Sequence, residues 1–483
     1  MFKGIPYAAP PVGALRYRPP AAPPRWEGIR DSTRFGPICP QVPSGQAGGV
    51  MRIFGSGAPM DEDCLSLNVW SPSVGGAGRP TMVWIHGGGF RNGNGSAALY
   101  DGASFARDGV VLVTLNYRLH AFGFLFLDEL FAGAAGTGNL GLLDQVAALE
   151  WVRDNIAAFG GDPDNVTVFG ESAGAMSIGA LLATPRAAGL FRRAIAQSGA
   201  GHHHLTPAGA GRVAARVLEL VQVKAGDWEG LRAVPAPQLL DAAIRAGQTE
   251  AAGLLSGEFS AAMGFQPVID GATIPDRPVA RVSAGSAAAV DLIVGTCADE
   301  MRLVTWGMPE GMRRDPDPVV PARLAEAGRS VDDAVEGYLM ARDGRARIDA
   351  LSAMETDYRY TIPAVRLAEA QAAHHNVRVY RFSWCSPVLG GALGACHGSE
   401  LPFLFEVLDD VAYFVGDDPP AGLASALHGA WVRFASAGDP TGGAIPSWPA
   451  YRAAQRSVLD FDTEIQVLDD PDRAQRLCWE GLL

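Results

Sequence analysis

The sequence predicts an α/β protein with a large, mostly parallel central sheet flanked by helices. Short apolar runs that indicate buried strands alternate with helical segments along most of the chain. Such alternation is typical of a parallel sheet with helices packed on both of its faces. With 48% hydrophobic and 19% charged residues in a chain of 483, the composition is that of a folded protein with a large core.

The strands are predicted from short apolar runs, several of which end at glycines. The runs are residues 81–85, 110–116, 165–169, 191–197 and 291–295, with a further strand around 377–384. In the first of them, TMVWI, a glycine cluster follows the last apolar residue, as at the end of a buried strand.

The helices are predicted from apolar residues at helical spacing. This spacing runs through residues 141–159 until a glycine pair ends it, and residues 173–183 form the next helix. The segments at approximately 205–265 and 310–375 are helix-like, rich in alanine and less regular, and they are predicted to be cap insertions. Because no convincing linker divides the chain, we expect residues 1–483 to form one domain.

Charge and hydropathy exclude several classes of protein. The chain has 39 Lys+Arg against 52 Asp+Glu, a formal net charge of −13, which disfavours nucleic-acid binding and mildly disfavours anionic substrates. Apolar runs such as 110–115 are too short to span a bilayer. The N-terminal residues lack signal-peptide features, so we expect a cytoplasmic protein, or a secreted one if the true N-terminus lies upstream.

A candidate nucleophile stands between a predicted strand and a predicted helix. Residues 170–174 read Gly-Glu-Ser-Ala-Gly, a pattern that in a strand-turn-helix context lifts Ser172 to the carboxyl end of a sheet. The flanking glycines avoid side chains that would crowd the tight turn. The alternative interpretation is a glycine-rich turn whose serine is structural.

A glycine loop is the candidate oxyanion hole for this nucleophile. His86-Gly87-Gly88-Gly89-Phe90 follows the strand 81–85, where backbone N–H groups can converge on a substrate oxygen. The N–H of Ala173, directly after the serine, is a further donor. We interpret His86 as bracing the loop, and the alternative for the whole segment is a flexible turn.

The general base is selected among nine histidines by chain order and context. In this architecture the acid and then the histidine follow the serine. His397 lies in a loop after the strand around 377–384, which suits a base that reaches the serine from the edge of the sheet. The strand 291–295 is followed by Asp299 and Glu300, and spacing does not choose between these two carboxylates as the acid.

Two further groups of residues are open to more than one interpretation. Cys39 and Cys64 bracket a stretch rich in Gly, Pro and Ser and could close it by a disulfide, or both could be reduced. The run His202-His203-His204 could bind a metal, although a solvated loop is the favoured interpretation.

Together these motifs resemble the type-B carboxylesterases of the α/β-hydrolase fold, relatives of cholinesterases and of bacterial para-nitrobenzyl esterases. The resemblance extends over nearly the whole chain. It is carried by FKGIPYAAPPVGALRYRPP (2–20), EDCLSLNVW (62–70), WIHGGGF (84–90), NYRLHAFGF (116–124), NLGLLDQVAALEWVRDNIAAFGGDPDNVTVFGESAGA (139–175), QSG (197–199), GTCADE (295–300) and CHGSELPFLF (396–405).

The resemblance implies roles for particular residues. The triad would be Ser172, Glu300 and His397, and the oxyanion hole would be the N–H groups of Gly88, Gly89 and Ala173. Glu171 and Ser198 would lie near the histidine. The resemblance also implies a Cys39–Cys64 disulfide and the ion pairs Arg16–Glu62 and Arg118–Asp144.

The implied function is hydrolysis of carboxylic esters with short to medium acyl chains through an acyl-enzyme. We expect a small-molecule ester as the partner, no cofactor, no metal, no nucleic acid and no membrane span, in a monomer or homodimer. The stretch between Cys39 and Cys64 contains no tryptophan, which argues against choline esters, and Met301 replaces a glycine that commonly follows the acid. An interfacial lipase and a non-catalytic adhesion protein are the alternatives.

Overall fold

The strands of the computed structural model form one sheet. The model describes residues 1–42, 50, 53, 57–76, 78–253, 264–307, 319–341 and 347–482. The strands of these residues are β1 (Phe2–Pro6), β2 (Ser66–Trp70), β3 (Arg79–Ile85), β4 (Val111–Leu115), β5 (Gly161–Glu171), β6 (Arg193–Gln197), β7 (Asp291–Cys297), β8 (Val377–Phe382), β9 (Ser457–Phe461) and β10 (Gln466–Asp469). They lie in the order β1-β2-β4-β3-β5-β6-β7-β8-β9-β10.

Helices connect most of these strands. They are α1 (Ala103–Arg107), α2 (His120–Gly123), α3 (Leu140–Asn155), α4 (Ala173–Leu181), α5 (Pro207–Val221), α6 (Trp228–Ala233), α7 (Ala236–Gly253), α8 (Pro278–Ser283), α9 (Val319–Glu326), α10 (Val331–Ala341), α11 (Arg347–Thr356), α12 (Ile362–Ala372), α13 (Leu401–Phe405), α14 (Ala412–Val415), α15 (Ala421–Ala437) and α16 (Arg473–Leu477). A π-helical turn, Asp357–Thr361, joins α11 to α12.

The sheet is parallel from β4 through β9 and antiparallel only where β1, β2 and β10 join it. The predicted α/β fold with a mostly parallel sheet is therefore confirmed. Side chains of β3 alternate between two cores, with Val83 and Ile85 in one and Met82 and Trp84 in the other. Since both faces of the sheet are buried, its central strands are apolar throughout, which is why continuous apolar runs predicted them.

The predicted helices are also present in the described residues. The helix predicted at 141–159 is α3 followed by a short 3₁₀ turn, and Gly160 ends it with φ +85°. The predicted segments 205–265 and 310–375 contain α5 to α7 and α9 to α12. Within them, residues 254–263, 310–318 and 342–346 lie outside the described part of the chain. No helix of the described residues is both long and apolar enough to cross a membrane.

Both ion pairs implied by the resemblance are present. The Arg118 guanidinium contacts both carboxylate oxygens of Asp144, with Nη2 2.7 Å from Oδ1 and Nε 2.8 Å from Oδ2. Both side chains are buried, with 3% and 0% of their surface exposed. The Arg16 Nε donates to Glu62 Oε2 at 2.7 Å. Because each buried charge has its partner, these pairs hold the N-terminal segment and α3 in fixed positions.

The implied disulfide is wrong for this structure. Cys39 and Cys64 are both buried and both free. The Leu119 N–H donates to Cys39 Sγ at 3.3 Å, and the hydrogen bond with Cys39, together with burial, raises the pKa of the Cys64 thiol well above its usual value. Because the thiolate is the form that attacks in disulfide exchange, the raised pKa makes the Cys64 thiol slow to react.

Candidate active site

The carboxyl ends of four neighbouring strands bring the predicted site residues together. Ile85 of β3 pairs with Gly170 of β5, and Glu171 pairs with Gln197 of β6. Gln197 in turn pairs with Gly295 of β7. Chain segments that leave these ends therefore meet at one edge of the sheet, where ligands bind in open parallel sheets.

Ser172 stands on a strained turn between β5 and α4. Its φ is +55° and its ψ −122°, a conformation that non-glycine residues rarely adopt. The turn requires glycine on both sides, because a Cβ on Gly170 would lie 2.5 Å from the Ile85 carbonyl oxygen and one on Gly174 would lie 1.9 Å from it. The Ser172 N–H donates to the Gln197 carbonyl at 2.9 Å, which anchors the turn to β6. The crowding predicted for this turn is thus confirmed.

The glycine loop after β3 packs directly against the nucleophile. A Cβ on Gly87 would lie 2.7 Å from Glu171 Oε2 and 3.0 Å from Ser172 Cβ. Gly88 and Gly89 follow with φ of +105° and +62°. Within the described residues, the N–H groups of Gly88, Gly89 and Ala173 donate no hydrogen bond to the protein. All three donors are therefore available to a substrate oxygen.

His86 braces this loop from beneath. The buried ring stacks on Tyr117 with centroids 4.4 Å apart, and the Tyr117 hydroxyl donates to the His86 carbonyl at 2.9 Å. Burial lowers the pKa of His86 to about 4, so the ring is neutral under ordinary conditions. This geometry fits the structural role expected for His86.

Glu300, and not Asp299, contacts His397. The His397 Nδ1 lies 2.6 Å from Glu300 Oε2, and the Cys297 N–H donates to the other Glu300 oxygen at 2.8 Å. Asp299 instead accepts from the Ala395 N–H at 3.3 Å and lies 3.6 Å from the Arg302 guanidinium. The carboxylate held against the histidine is therefore the fully buried Glu300.

The other ring nitrogen of His397 faces Glu171. Nε2 lies 2.9 Å from Glu171 Oε1, without the alignment of a good hydrogen bond. The Ser172 hydroxyl forms no hydrogen bond with His397 or with any other residue in the described part of the chain. Catalytic hydrogen bonds are often long or unformed before substrate binds, and in this structure His397 Nε2 lies against the Glu171 carboxylate.

The two carboxylates determine the charge of His397. Burial alone would lower the pKa of the ring, but Glu171, Tyr360 and Glu300 outweigh it and raise that pKa well above its usual value. The Tyr360 ring packs on the histidine, with centroids 4.9 Å apart. The two carboxylates therefore stabilise the charged form of the ring relative to the neutral form.

Sequence reasoning missed Glu400 and Tyr360. Glu400 is fully buried and accepts hydrogen bonds from Gln197 Nε2 at 3.1 Å and from the Cys297 thiol at 3.0 Å. Burial, followed by the charge of Glu171, raises its pKa to about 7. Glu400 follows His397 by three residues, and this short spacing could have indicated that it lies near the site. The contact of Tyr360 depends on long-range packing, and no local pattern indicates it.

Ser198 lies beside the nucleophile turn. Its φ is +53°, and its buried hydroxyl forms no hydrogen bond with the described residues. The next residue, Gly199, packs so closely that a Cβ there would lie 2.6 Å from the Ser172 carbonyl oxygen. Ser198 thus lies at the end of β6, next to a glycine that packs on the turn at Ser172, and its expected place near the histidine stays a prediction.

The interpretation of His202-His203-His204 as a solvated loop is wrong. His203 is buried and the other two are half-buried. Burial is the main cause that lowers the pKa values of the three rings, to about 4, 3 and 4 in chain order. No group of three or more His, Cys, Asp or Glu side chains in the described residues is arranged to hold a metal.

Comparisons with known proteins agree with this geometry. The model of the carboxylesterase family matches residues 1–479. The para-nitrobenzyl esterase of Bacillus subtilis is 40% identical over 98% of this chain and 94% of its own length. The phenmedipham hydrolase of Pseudarthrobacter oxydans is 37% identical, covering 95% and 90%. The crystal structure of a Geobacillus stearothermophilus carboxylesterase superimposes with a TM-score of 0.86 at 40% identity, covering 99% of this chain and 95% of that one.

Proposed function

The chain belongs to the carboxylesterase family and is a serine carboxylesterase, and on this premise we propose that Ser172, His397 and Glu300 are its catalytic triad. The observation that carries the proposal is the 2.6 Å contact of His397 with buried Glu300 at the strand edge that presents Ser172. This contact holds the imidazole so that Nε2 is the nitrogen directed at the substrate.

In the first half-reaction the Ser172 hydroxyl attacks the ester carbonyl and His397 Nε2 takes its proton. Nε2 must first leave the Glu171 carboxylate, which remains close enough to stabilise the imidazolium that forms. The N–H groups of Gly88, Gly89 and Ala173 receive the oxyanion, and each such donor is worth about 3 kcal/mol in the transition state. His397 then protonates the departing alcohol, leaving the acyl group on Ser172.

In the second half-reaction water replaces the alcohol. His397 removes a proton from the water as it attacks the acyl-enzyme, and the same three N–H groups receive the second oxyanion. Protonation of Ser172 by His397 then releases the acid. These steps use groups of this chain and water alone.

Glu400 supports this site from below. It contacts neither Ser172 nor His397, but it accepts hydrogen bonds from Gln197 and Cys297, which belong to the strand ends that carry Ser198 and Glu300. We therefore assign it a positioning role. Its raised pKa of about 7 limits the negative charge that gathers near Glu171 at neutral pH.

The substrates proposed are esters with short to medium acyl chains, and para-nitrobenzyl esters are the first ones to assay because of the 40% identical relative of that name. The same proposal includes one domain with helical caps at about 205–265 and 310–375, a cytoplasmic location and a monomer or homodimer. Gel filtration with light scattering measures the last of these directly.

The test is hydrolysis of para-nitrophenyl esters with acyl chains of two to sixteen carbons. The native protein should be most active on short to medium chains. Ser172→Ala should lower kcat by about 10⁵- to 10⁶-fold. Ser436→Ala, which changes an exposed serine of α15, should match the native protein. Substantial activity of Ser172→Ala would contradict the proposed nucleophile, and a preference for emulsified long chains would favour a lipase.

A further inference from the structure

A large surface groove lies next to the proposed site. Its volume is about 760 Å³, and its lining includes His202, His204, Arg277, Arg323, Tyr358 and Trp479. This volume is sufficient for a small organic molecule or for a sizeable part of one. Nothing in the reaction described above uses these residues.

Two chain segments connect the groove with the proposed base. The first leaves β6 at Ser198, beside the nucleophile, and reaches the groove at His202. The second is the π-helical turn, in which Tyr358 lines the groove and Tyr360 packs on His397 at 4.9 Å. The ring centroids of His203 and Tyr360 lie 6.3 Å apart. The groove and His397 are therefore joined by the same two segments, whose Tyr360 and His203 rings lie in sequence beside the lining residues Tyr358, His202 and His204.

The groove is locally cationic in a chain whose net charge is −13. Arg323 pairs with Glu326 at 3.0 Å. Arg277 is exposed, and in the described part of the chain its guanidinium forms no ion pair, while its backbone N–H bonds the neighbouring Asp276. Among the described lining residues, the two arginines and Glu326 leave one net positive charge, while the Asp276 carboxylate next to Arg277 lies near enough to His204 to influence its pKa. Burial is the main cause that lowers the pKa of His202 and of His204 to about 4, so both rings are neutral.

From this arrangement we propose that the groove receives a carboxylate carried by the ester substrate, with Arg277 as its partner. The inference rests on the proposed function, because it names the class of ester that this site prefers. A guanidinium binds a carboxylate through two parallel hydrogen bonds. The half-buried side chains of Ile269, Val279 and Leu482 provide apolar surface for the carbons that lead to the carboxylate. The preferred substrates are then esters with a second, free carboxylate, such as half-esters of dicarboxylic acids.

The test compares esters that differ only in this carboxylate. In the acyl arm, para-nitrophenyl esters whose chains end in a carboxylate are paired with esters of equal length that end in a methyl group. In the leaving-group arm, butyrates of nitrophenol with and without a ring carboxylate are paired. The variants are Arg277→Ala, Arg277→Lys and the control Arg192→Ala, which removes an exposed arginine at the opposite end of β6.

We expect Arg277→Ala to lower the ratio of kcat/KM for anionic over neutral esters about tenfold in one of the two arms, mainly through KM. Arg277→Lys should retain part of the preference, and Arg192→Ala all of it. A response in the acyl arm would show that the acyl group faces the groove. A response in the leaving-group arm would show that the alcohol group faces it. Raising the salt concentration from about 0.05 to 0.5 M should weaken the preference, because an exposed pair is screened.

An unchanged ratio in both arms would overturn the inference, and so would an equal loss for neutral and anionic esters. Failure of the proposed function has a different signature, in which the native protein hydrolyses neither kind of ester. In that case the inference is still testable by calorimetry of glutarate monoester binding to Ser172→Ala. Addition of Arg277→Ala should then raise Kd about tenfold, and an unchanged Kd would overturn the inference.

Discussion

His397 lies between the Glu171 and Glu300 carboxylates, and this position controls when it can act as a base. In the proposed triad, only the neutral ring of His397 can take the Ser172 proton. Since the two carboxylates raise the pKa of His397 well above its usual value, kcat/KM should begin to fall at a higher pH than for an ordinary histidine as the solution is acidified.

Replacing Glu171 by Gln should move this acidic limb to lower pH. The substitution keeps the shape of the side chain and removes the charge that contributes most to raising the pKa of His397. The measurement is kcat/KM against pH for the native protein and the variant. Glu150→Gln, which changes a surface carboxylate paired with Arg186, is the control and should leave the midpoint in place. A midpoint that stays fixed or rises in Glu171→Gln would contradict the assignment.

The adjacent carboxylates Asp299 and Glu300 provide a matched pair of variants. Glu300→Gln should lower kcat about 10³- to 10⁴-fold, because the amide no longer holds the required tautomer of His397. Asp299→Asn should lower kcat less than about tenfold, since Asp299 contacts Arg302 and the Ala395 backbone instead of the histidine. Circular dichroism checks that both variants fold. Equal losses of kcat in the two variants would contradict the assignment of Glu300 as the acid that holds His397.

At the scale of single elements, the turn at Ser172 depends on its crossing with β3. A Cβ on Gly174 would lie 1.9 Å from the Ile85 carbonyl oxygen, so Gly174→Ala must displace either β3 or α4. We expect this variant to lose more than about 2 kcal/mol of the free energy of unfolding or to fail to fold.

Gly337 is the control for this substitution. It lies in α10 with no atom near its missing Cβ, so Gly337→Ala should be neutral or stabilise by about 0.5–1 kcal/mol. Denaturant unfolding measures both variants. If Gly174→Ala proved as stable as Gly337→Ala, the close approach of the turn to β3 would be disproved.

How well the sequence predicted an element followed from how completely the element is buried. The strands β3, β4 and β7 are buried over most of their length, and short apolar runs revealed them. The edge strands β1 and β10 have only one neighbour each, and most of their residues are half-buried or exposed, so no comparable run marked them. The start of β5 was missed because residues 161–165 are partly exposed and pair irregularly with β3.

The same distinction between local and long-range information holds for the site. Ser172 and the glycine loop were predictable because their motifs describe the local backbone. Asp299 and Glu300 were not separable, since only the fold determines which one meets His397. Tyr360 reaches His397 from a segment far along the chain, and its position follows from packing that no short pattern encodes.

At the scale of the whole molecule, the sheet places one reactive group at each of several strand ends. The ends of β3, β5, β6 and β7 carry the proposed oxyanion loop, Ser172, Ser198 and Glu300, so the proposed site forms only when the sheet is assembled in its register. The groove with Arg277 lies beyond this edge and gives an acidic protein a local surface suited to an anionic substrate. The residues proposed for catalysis and the residue proposed for substrate selection thus lie in different parts of the same fold.

The measurement that tests the central claim most directly is covalent labelling of the native protein by a fluorophosphonate, followed by intact mass and peptide mapping. We predict one label per chain, located on Ser172, absent in Ser172→Ala and slow to form in Glu300→Gln but not in Asp299→Asn. A label on another residue, or no label on a folded protein that hydrolyses esters, would contradict the proposed triad.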